Sequence, residues 1–221
     1  MAVWLYELVF VFIIFCFLYL YGDPRELHRR DRWQRQIGIR DSNEAVPPLV
    51  HLWQEKKLSP CKGIVPGCGA GHEVLFLAKK GFNVTAVDYS HGAIKLIKST
   101  FKKNNCLGEV LHQDFFELDY KYNESFGLML EHTFFCAINP NMRKEYVKTA
   151  KRILKPGGYL IGLFYETNED GGPPFNTKKE DIEKYFSSSF KIESLSKTLH
   201  SAEQRLEKEW LVDITDTHMR R

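Results

Sequence analysis

Beyond Arg40, short apolar runs alternate with longer stretches that keep helical periodicity, and this alternation constrains the fold more than any other feature of the chain. Such a pattern is typical of βαβ units, in which successive strands lie parallel and the connecting helices cover the sheet. No internal repeat or low-complexity segment interrupts it. The sequence therefore predicts an α/β fold.

Seven of the apolar runs have the length and composition of strands, and the last two follow a helix as a closing pair. Ser90 is expected to cap the helix that begins at His91, and Pro156 with two glycines is expected to end the helix that begins at Asn141. The predicted strands cover residues 63–67, 82–88, 109–114, 126–131, 159–165, 190–197 and 207–214.

Length, charge and cysteine content exclude several classes of protein. A chain of 221 residues is long enough for one core and short for two ordinary domains. The formal net charge is only +3, and much of it comes from arginines between residues 25 and 40, so we expect no nucleic acid partner. The five cysteines are widely spaced and odd in number, which predicts reduced thiols and no metal site.

The N-terminal segment predicts a membrane anchor. From Ala2 to Tyr21 the only charged residue is Glu7, and a helix of this length spans roughly 30 Å, the thickness of a bilayer core. No basic residue precedes the apolar run, which disfavours a cleaved signal peptide, and the run is apolar on every side, which disfavours a buried amphipathic helix. Because the arginines follow the segment, we expect a single-pass protein with its catalytic domain in the cytoplasm; the sequence leaves open which membrane.

The stretch "VPGCGAGH" (65–72) follows the first predicted strand and indicates a nucleoside site. A phosphate-binding P-loop would end in Gly-Lys-Ser/Thr, whereas this stretch continues with His72 and Glu73. The dinucleotide fingerprint G-x-G-x-x-G also fails, because the third glycine comes one place early. A glycine turn remains, with Asp88 at the end of the second strand, where an acid chelates the two hydroxyls of a ribose.

The residues "VPGCGAGHEVLFLAKKGFNVTAVDYS" (65–90) resemble motif I and the following strand of class I S-adenosylmethionine-dependent methyltransferases, in particular the thiopurine S-methyltransferase family. "HTFFCAINPNMR" (132–143), "LKPGGYLIGLFY" (154–165) and "GGPPF" (171–175) are similar to its halide and thiol methyltransferase branch. The resemblance covers roughly residues 33–210. It implies a Rossmann-like, seven-stranded, mostly parallel sheet with helices on both faces, and S-adenosylmethionine as cofactor.

The resemblance also implies which residues contact the cofactor and how the chain is divided. We expect an anchor at 1–22, a basic juxtamembrane segment and cofactor lid at 23–45, and the methyltransferase domain at 46–221. The implied cofactor contacts are Trp33 in the lid, Gly67, Cys68, Gly69 and Glu131 at the methionine part, Asp88 at the ribose, and Tyr89, Asp114 and Phe115 at the adenine.

The chemistry of methyl transfer fits these residue types. Aromatic faces stabilise a sulfonium cation, and the chain offers Phe134 and Phe135 beyond the fourth strand. Transfer to a thiolate or halide is an in-line displacement that needs alignment and exclusion of water rather than an obligatory base. We expect Phe135 to contact the acceptor and His132 to deprotonate a neutral thiol, although a histidine at this place also suits a structural hydrogen bond. Cys68 and Cys136 are interpreted as small packing residues.

Three functions remain open at this point. The first is methyl transfer from S-adenosylmethionine to a small thiol or halide ion, and the second is transfer to a membrane-resident oxygen or nitrogen nucleophile. The third is a non-catalytic cofactor-binding or interaction protein. Family members usually carry a second tryptophan in the segment before the proline pair, whereas residues 39–48 of this chain contain no aromatic residue. This departure affects the expected identity of the acceptor more than the expected binding of the cofactor.

Overall fold

The computed structural model describes residues 45–216. Their strands and helices alternate along the chain, as the sequence predicts. In chain order they are α1 Pro47–Gln54, β1 Lys62–Pro66, α2 His72–Lys79, β2 Asn83–Asp88, α3 His91–Lys103, β3 Glu109–His112, β4 Phe126–His132, α4 Arg143–Ile153, β5 Leu154–Tyr165, α5 Lys179–Phe186, β6 Phe190–Lys197 and β7 Glu209–Asp216.

The seven strands form one sheet in the order β3-β2-β1-β4-β5-β7-β6. Neighbours from β3 through β5 are parallel, and β7 lies antiparallel between β5 and β6. The mostly parallel sheet and its closing pair are therefore confirmed. The strand order reverses between β1 and β4, and the carboxyl ends of strands at such a switch point border the ligand crevice of an open α/β sheet.

Helices cover both faces of this sheet, as predicted. Alternate residues of a strand point to opposite faces, so Ile64 and Val65 of β1 belong to two different hydrophobic clusters. Ile64 packs in the cluster that contains α4 and α5, whereas Val65 packs in the cluster that contains α1, α2 and α3. Between residues 45 and 216 no helix combines the length and apolarity needed to cross a bilayer, and the predicted anchor at 1–22 lies outside the described residues.

Several predicted boundaries were wrong, and two of the differences have a clear physical reason. The helix α4 ends at Ile153, before Pro156, and β5 begins at once with Leu154. Pro156 is accommodated because the register between β4 and β5 shifts at this point, and an irregularity in a ladder tolerates a residue that has no N–H to donate. Strand β3 ends at His112, so Asp114 caps a short 3₁₀ turn instead of ending the strand.

Candidate active site

The carboxyl ends of β1, β2 and β4 lie side by side, and the glycine turn leaves the end of β1. Gly67 has a φ of +58°, and a Cβ added there would lie 2.4 Å from the ring of Phe134. Gly69 has a φ of +50°, and the nearest atom to an added Cβ would be the Gly67 carbonyl oxygen at 4.0 Å. The turn thus packs against the chain at Gly67 and borders open space at Gly69, where a ligand can approach the backbone.

Asp88 ties this turn to the end of β2. Its Oδ2 accepts a hydrogen bond from the Gly69 N–H at 2.9 Å, and its Oδ1 accepts one from the Ser90 N–H at 2.7 Å. Each carboxylate oxygen has a second lone pair, so the half-buried Asp88 can still accept hydroxyl donors. Ser90 caps α3 as predicted, with its Oγ 3.5 Å from the Ala93 nitrogen.

The two predicted packing cysteines are both buried. The Sγ of Cys68 donates to the Val87 carbonyl at 3.3 Å, and that of Cys136 donates to the Thr133 carbonyl at the same distance. Burial raises the pKa of the Cys68 thiol strongly, and it raises the pKa of Cys136 to about 12. Neither thiol forms a thiolate near neutral pH, which agrees with a packing role.

The residues predicted to meet adenine differ in exposure. Tyr89 is 73% exposed, and Asp114 accepts a hydrogen bond from the Phe116 N–H at 2.9 Å through Oδ1. Phe115 is only 2% exposed, with its ring edge-on to Phe134 at a centroid distance of 5.6 Å. The ring of Phe115 therefore belongs to the core, and its half-buried neighbour Phe116 presents the more accessible aromatic surface of the pair.

Glu131 is fully buried and shapes the turn that follows β4. Its Oε1 accepts hydrogen bonds from the N–H groups of Phe134 and Phe135, each at 2.8 Å, and its Oε2 accepts one from the Tyr146 hydroxyl. Burial raises the pKa of this carboxyl against the opposing effect of the donated hydrogen bonds. Glu131 thus acts on the site through the backbone, because the turn that it holds sets Phe134 over Gly67.

The contact predicted between Phe135 and the acceptor does not fit the structure. Phe135 is 1% exposed, and its ring lies edge-on to Phe164 and Tyr146, each at a centroid distance of 5.1 Å. The preceding residue, Phe134, is half-buried and faces the glycine turn. Phe134 is therefore the aromatic residue of this turn that can border a ligand, whereas the predicted lid residue Trp33 lies outside the described residues.

Next to the glycine turn, His132 and Glu73 form a buried pair. The sequence analysis named His132 as a site residue and missed Glu73. Both residues are 8% exposed, and His132 Nδ1 lies 3.3 Å from Glu73 Oε1. Burial acts to raise the pKa of Glu73, but the contact with His132 lowers it overall. His132 Nε2 is buried and has no hydrogen-bond partner among residues 45–216. The position of Glu73 in the first turn of α2 is the sequence signal that could have found it.

Two buried arginines, which the sequence analysis did not single out, also keep unpartnered N–H groups within the described residues. The Nη2 of Arg143 donates to the Asn176 carbonyl at 3.0 Å and to Thr177 Oγ1 at 3.1 Å, which fastens the loop after "GGPPF". The Nη1 of Arg205 lies 2.7 Å from Glu209 Oε1. Within the described part of the chain, Arg143 Nε and Arg205 Nη2 are buried without a hydrogen-bond partner. Each guanidinium therefore keeps an N–H that is free to meet an acceptor.

A comparison with protein families matches residues 28–221 to the family described as thiopurine S-methyltransferase. The chain belongs to the thiopurine S-methyltransferase family. Membership makes it an S-adenosylmethionine-dependent methyltransferase, and S-adenosylmethionine is its cofactor. The resemblance seen in the motifs is thereby confirmed, together with the Rossmann-like fold.

Relatives within this family differ in the activity that their names state. Thiocyanate methyltransferase 1 of Brassica oleracea is 33% identical over 183 residues, which covers 81% of this chain and 80% of the relative. Thiopurine S-methyltransferase of Pseudomonas fluorescens (strain SBW25) is 28% identical and covers 75% of this chain and 84% of the relative. Both relatives are matched over most of their length.

Among solved structures, the fold is shared with 1,6-didemethyltoxoflavin-N1-methyltransferase of Burkholderia thailandensis, which was solved with bound S-adenosylhomocysteine. The TM-score is 0.67 at 14% identity, and the match covers 89% of this chain and 92% of that one. At this identity the likeness establishes the architecture alone.

The residues at the crevice fit the cofactor. Within the described part of the chain, a Cβ on Gly69 would meet nothing closer than 4.0 Å beyond its chain neighbours, and Asp88 lies beside this space with acceptor capacity for ribose hydroxyls. Tyr89 and Asp114 lie further along the same edge, after β2 and β3. When bound there, the cofactor supplies an electrophilic methyl group.

Proposed function

We propose that this chain transfers the methyl group of S-adenosylmethionine to the sulfur of a small thiol, or to a small anion such as thiocyanate or a halide. The observation that carries the proposal is the 33% identity to a thiocyanate methyltransferase across 81% of the chain. Membership of a family named for S-methylation supports a sulfur acceptor as well. This reading is favoured over a membrane-resident oxygen or nitrogen acceptor because the two relatives matched by sequence are named for the sulfur-containing acceptors thiocyanate and thiopurine.

The proposed reaction is an in-line displacement. An anionic nucleophile and a sulfonium neutralise each other in the transition state, so alignment and a dry site supply most of the acceleration. Phe134 offers a half-buried aromatic surface beside the glycine turn, and a cation gains about 0.5 to 2 kcal/mol from such a face. The free N–H groups of Arg143 and Arg205 suit an acceptor that carries or develops negative charge.

We also propose which residues contact the cofactor. We assign the methionine part to the backbone of Gly67, Cys68 and Gly69, and the ribose hydroxyls to Asp88. Tyr89 and Asp114 are assigned to the adenine, with Phe116 in place of Phe115. Trp33, in the segment 23–45, is proposed to close over the bound cofactor.

Calorimetry followed by an acceptor panel tests the proposal. Purified protein is titrated with S-adenosylmethionine and then incubated with alkyl and aryl thiols, thiocyanate, iodide and a membrane extract, with products identified by mass spectrometry. We expect cofactor binding and S-methyl products from the thiols. Methylated oxygen or nitrogen compounds from the extract alone would favour the membrane-resident acceptor, and binding without any product would favour a non-catalytic role.

The predicted anchor has its own test. We propose that residues 1–22 hold the full-length protein in a membrane with the methyltransferase domain at 46–221 on the cytoplasmic side. After alkaline extraction of membranes, the full chain is expected in the pellet, and a chain lacking residues 1–22 in the supernatant. Recovery of the full chain in the supernatant would contradict the anchor.

A further inference from the structure

We propose that Glu73 and His132 form a proton-accepting dyad that allows the enzyme to methylate neutral thiols, whereas acceptors that are already anionic do not need it. The inference rests on the proposed function and adds to it the way in which the acceptor loses its proton. In this account His132 is the catalytic base and Glu73 is a positioning residue that acts through it.

The two residues come from elements that flank the glycine turn. His132 is the last residue of β4, the strand next to β1 at the switch point, and Glu73 lies in the first turn of α2, directly after the glycines. Consecutive residues of β4 face opposite sides of the sheet, so Glu131 reaches Tyr146 of α4 while His132 reaches α2. The dyad thus stands on the face of the sheet to which the glycine turn leads.

The contact with Glu73 decides which ring nitrogen is available. A carboxylate oxygen 3.3 Å from Nδ1 attracts a proton to that nitrogen electrostatically, although Oε1 and Nδ1 are not aligned as a hydrogen bond in the described residues, and this leaves the lone pair of Nε2 free. Nε2 is buried and meets no hydrogen-bond partner in the described part of the chain. A buried polar atom without a partner carries a free-energy cost, and a ligand that supplies the partner removes it. A thiol S–H is a donor that can do so.

The other titratable groups near the pair are few. Glu131 precedes His132 on β4, and burial raises the pKa of this carboxyl despite the opposing effects of its hydrogen bonds and of His132. The charge of His72, next to Glu73 on α2, also acts to lower the pKa of Glu73. Cys68 in the glycine turn stays protonated, and the residue that pairs with His132 on the neighbouring strand β5 is the apolar Leu163.

The chemical need for a base depends on the acceptor. A free thiol of the cysteine type has a pKa of about 8.5 and is mostly protonated at neutral pH, whereas thiocyanate and iodide carry no proton. In the proposed step, Nε2 takes the thiol proton, and a lone pair of the sulfur forms the new bond to the methyl carbon. The old bond from carbon to the sulfonium sulfur breaks, and its electron pair stays on that sulfur. The products are a methyl thioether, S-adenosylhomocysteine and an imidazolium that returns its proton to water.

The decisive measurement compares two acceptors in the same variants. For His132→Gln we expect the ratio of kcat/KM for an alkyl thiol to kcat/KM for thiocyanate to fall by about 10² or more, since general-base catalysis contributes about 10²- to 10⁴-fold. Glu73→Gln is expected to lower the same ratio by a smaller factor. The matched control is His51 in α1 and Glu55 at its C-cap, with Nε2 and Oε1 3.2 Å apart and each side chain just over a third exposed, and glutamine at either position should leave the ratio unaltered.

Two further measurements distinguish a catalytic base at His132 from a residue that only stabilises the fold. In Glu73→Gln the loss for the thiol should fall on kcat rather than on KM, because Glu73 orients the base and does not itself bind the acceptor. With S-adenosylhomocysteine bound, the ultraviolet absorbance of thiolate from a bound alkyl thiol should be present in the original enzyme and absent from His132→Gln.

An unaltered acceptor ratio together with an unaltered kcat for the thiol in Glu73→Gln would overturn the dyad, and this holds even if His132→Gln does not fold. An original enzyme that methylates neither acceptor would instead overturn the proposed function.

Discussion

Gly69→Ala is expected to lower the affinity for S-adenosylmethionine at least about tenfold while the protein remains folded. The added methyl group would enter the space over the turn, where the nearest atom among residues 45–216, the chain neighbours of Gly69 apart, lies at 4.0 Å, and a bound cofactor would have to give way. A tenfold loss corresponds to about 1.4 kcal/mol. Calorimetric titration measures the affinity, and denaturant unfolding measures the cost of placing a side chain at positive φ, roughly 1–2 kcal/mol.

Substitutions at two other glycines serve as controls for the loss of cofactor affinity expected in Gly69→Ala. Gly157 has a φ of +71° and no atom within 4 Å of an added Cβ, so Gly157→Ala should show the same folding cost and keep its cofactor affinity. At Gly67 the added Cβ would lie 2.4 Å from Phe134, so Gly67→Ala should lose both stability and affinity. Equal cofactor affinity in the Gly69 and Gly157 variants would show that the cofactor does not lie over Gly69.

Glu131→Ala is expected to cause the largest loss of stability of any single change considered. It would leave two backbone N–H groups, those of Phe134 and Phe135, and the Tyr146 hydroxyl buried without an acceptor. At about 1–3 kcal/mol for each such group, the loss should be about 3 kcal/mol or more. Urea unfolding monitored by circular dichroism checks this value, and activity should fall as well because the turn beside Gly67 is released.

The control for this variant is a glutamate on the same helix as Tyr146 but on its exposed side. Glu145 forms an ion pair with Lys148 at 3.1 Å, with both side chains about half exposed or more, so Glu145→Ala should change stability by less than about 1 kcal/mol. A loss below about 1 kcal/mol in Glu131→Ala would mean that solvent reaches the turn and satisfies its donors.

The sequence predicted the sheet because periodicity and turn residues are local properties. Seven apolar runs, the capping Ser90 and the glycine turn each leave a signal within a few residues, and all three were confirmed. The boundary at Pro156 was missed because its tolerance depends on a register shift against β4, which only pairing between strands reveals. The anchor at 1–22 stays a prediction.

The site was harder to predict than the sheet, because it depends on which way neighbouring side chains point. Phe134 and Phe135 are equivalent in the sequence, yet the turn held by Glu131 places one beside Gly67 and buries the other among aromatic rings. Glu73 was missed for a similar reason, since its contact with His132 joins residues 59 positions apart. Such pairs become visible only when β4 and α2 are placed in space.

The most direct test of the whole account follows the methyl group itself. The purified chain is incubated with S-adenosylmethionine that carries a deuterated methyl group and with an alkyl thiol, and the product is fragmented in a mass spectrometer. The account predicts that the label appears on sulfur, as the methyl thioether, with one S-adenosylhomocysteine formed for each product molecule. Label that appears only on oxygen or nitrogen, or no labelled product from a protein that binds the cofactor, would contradict it.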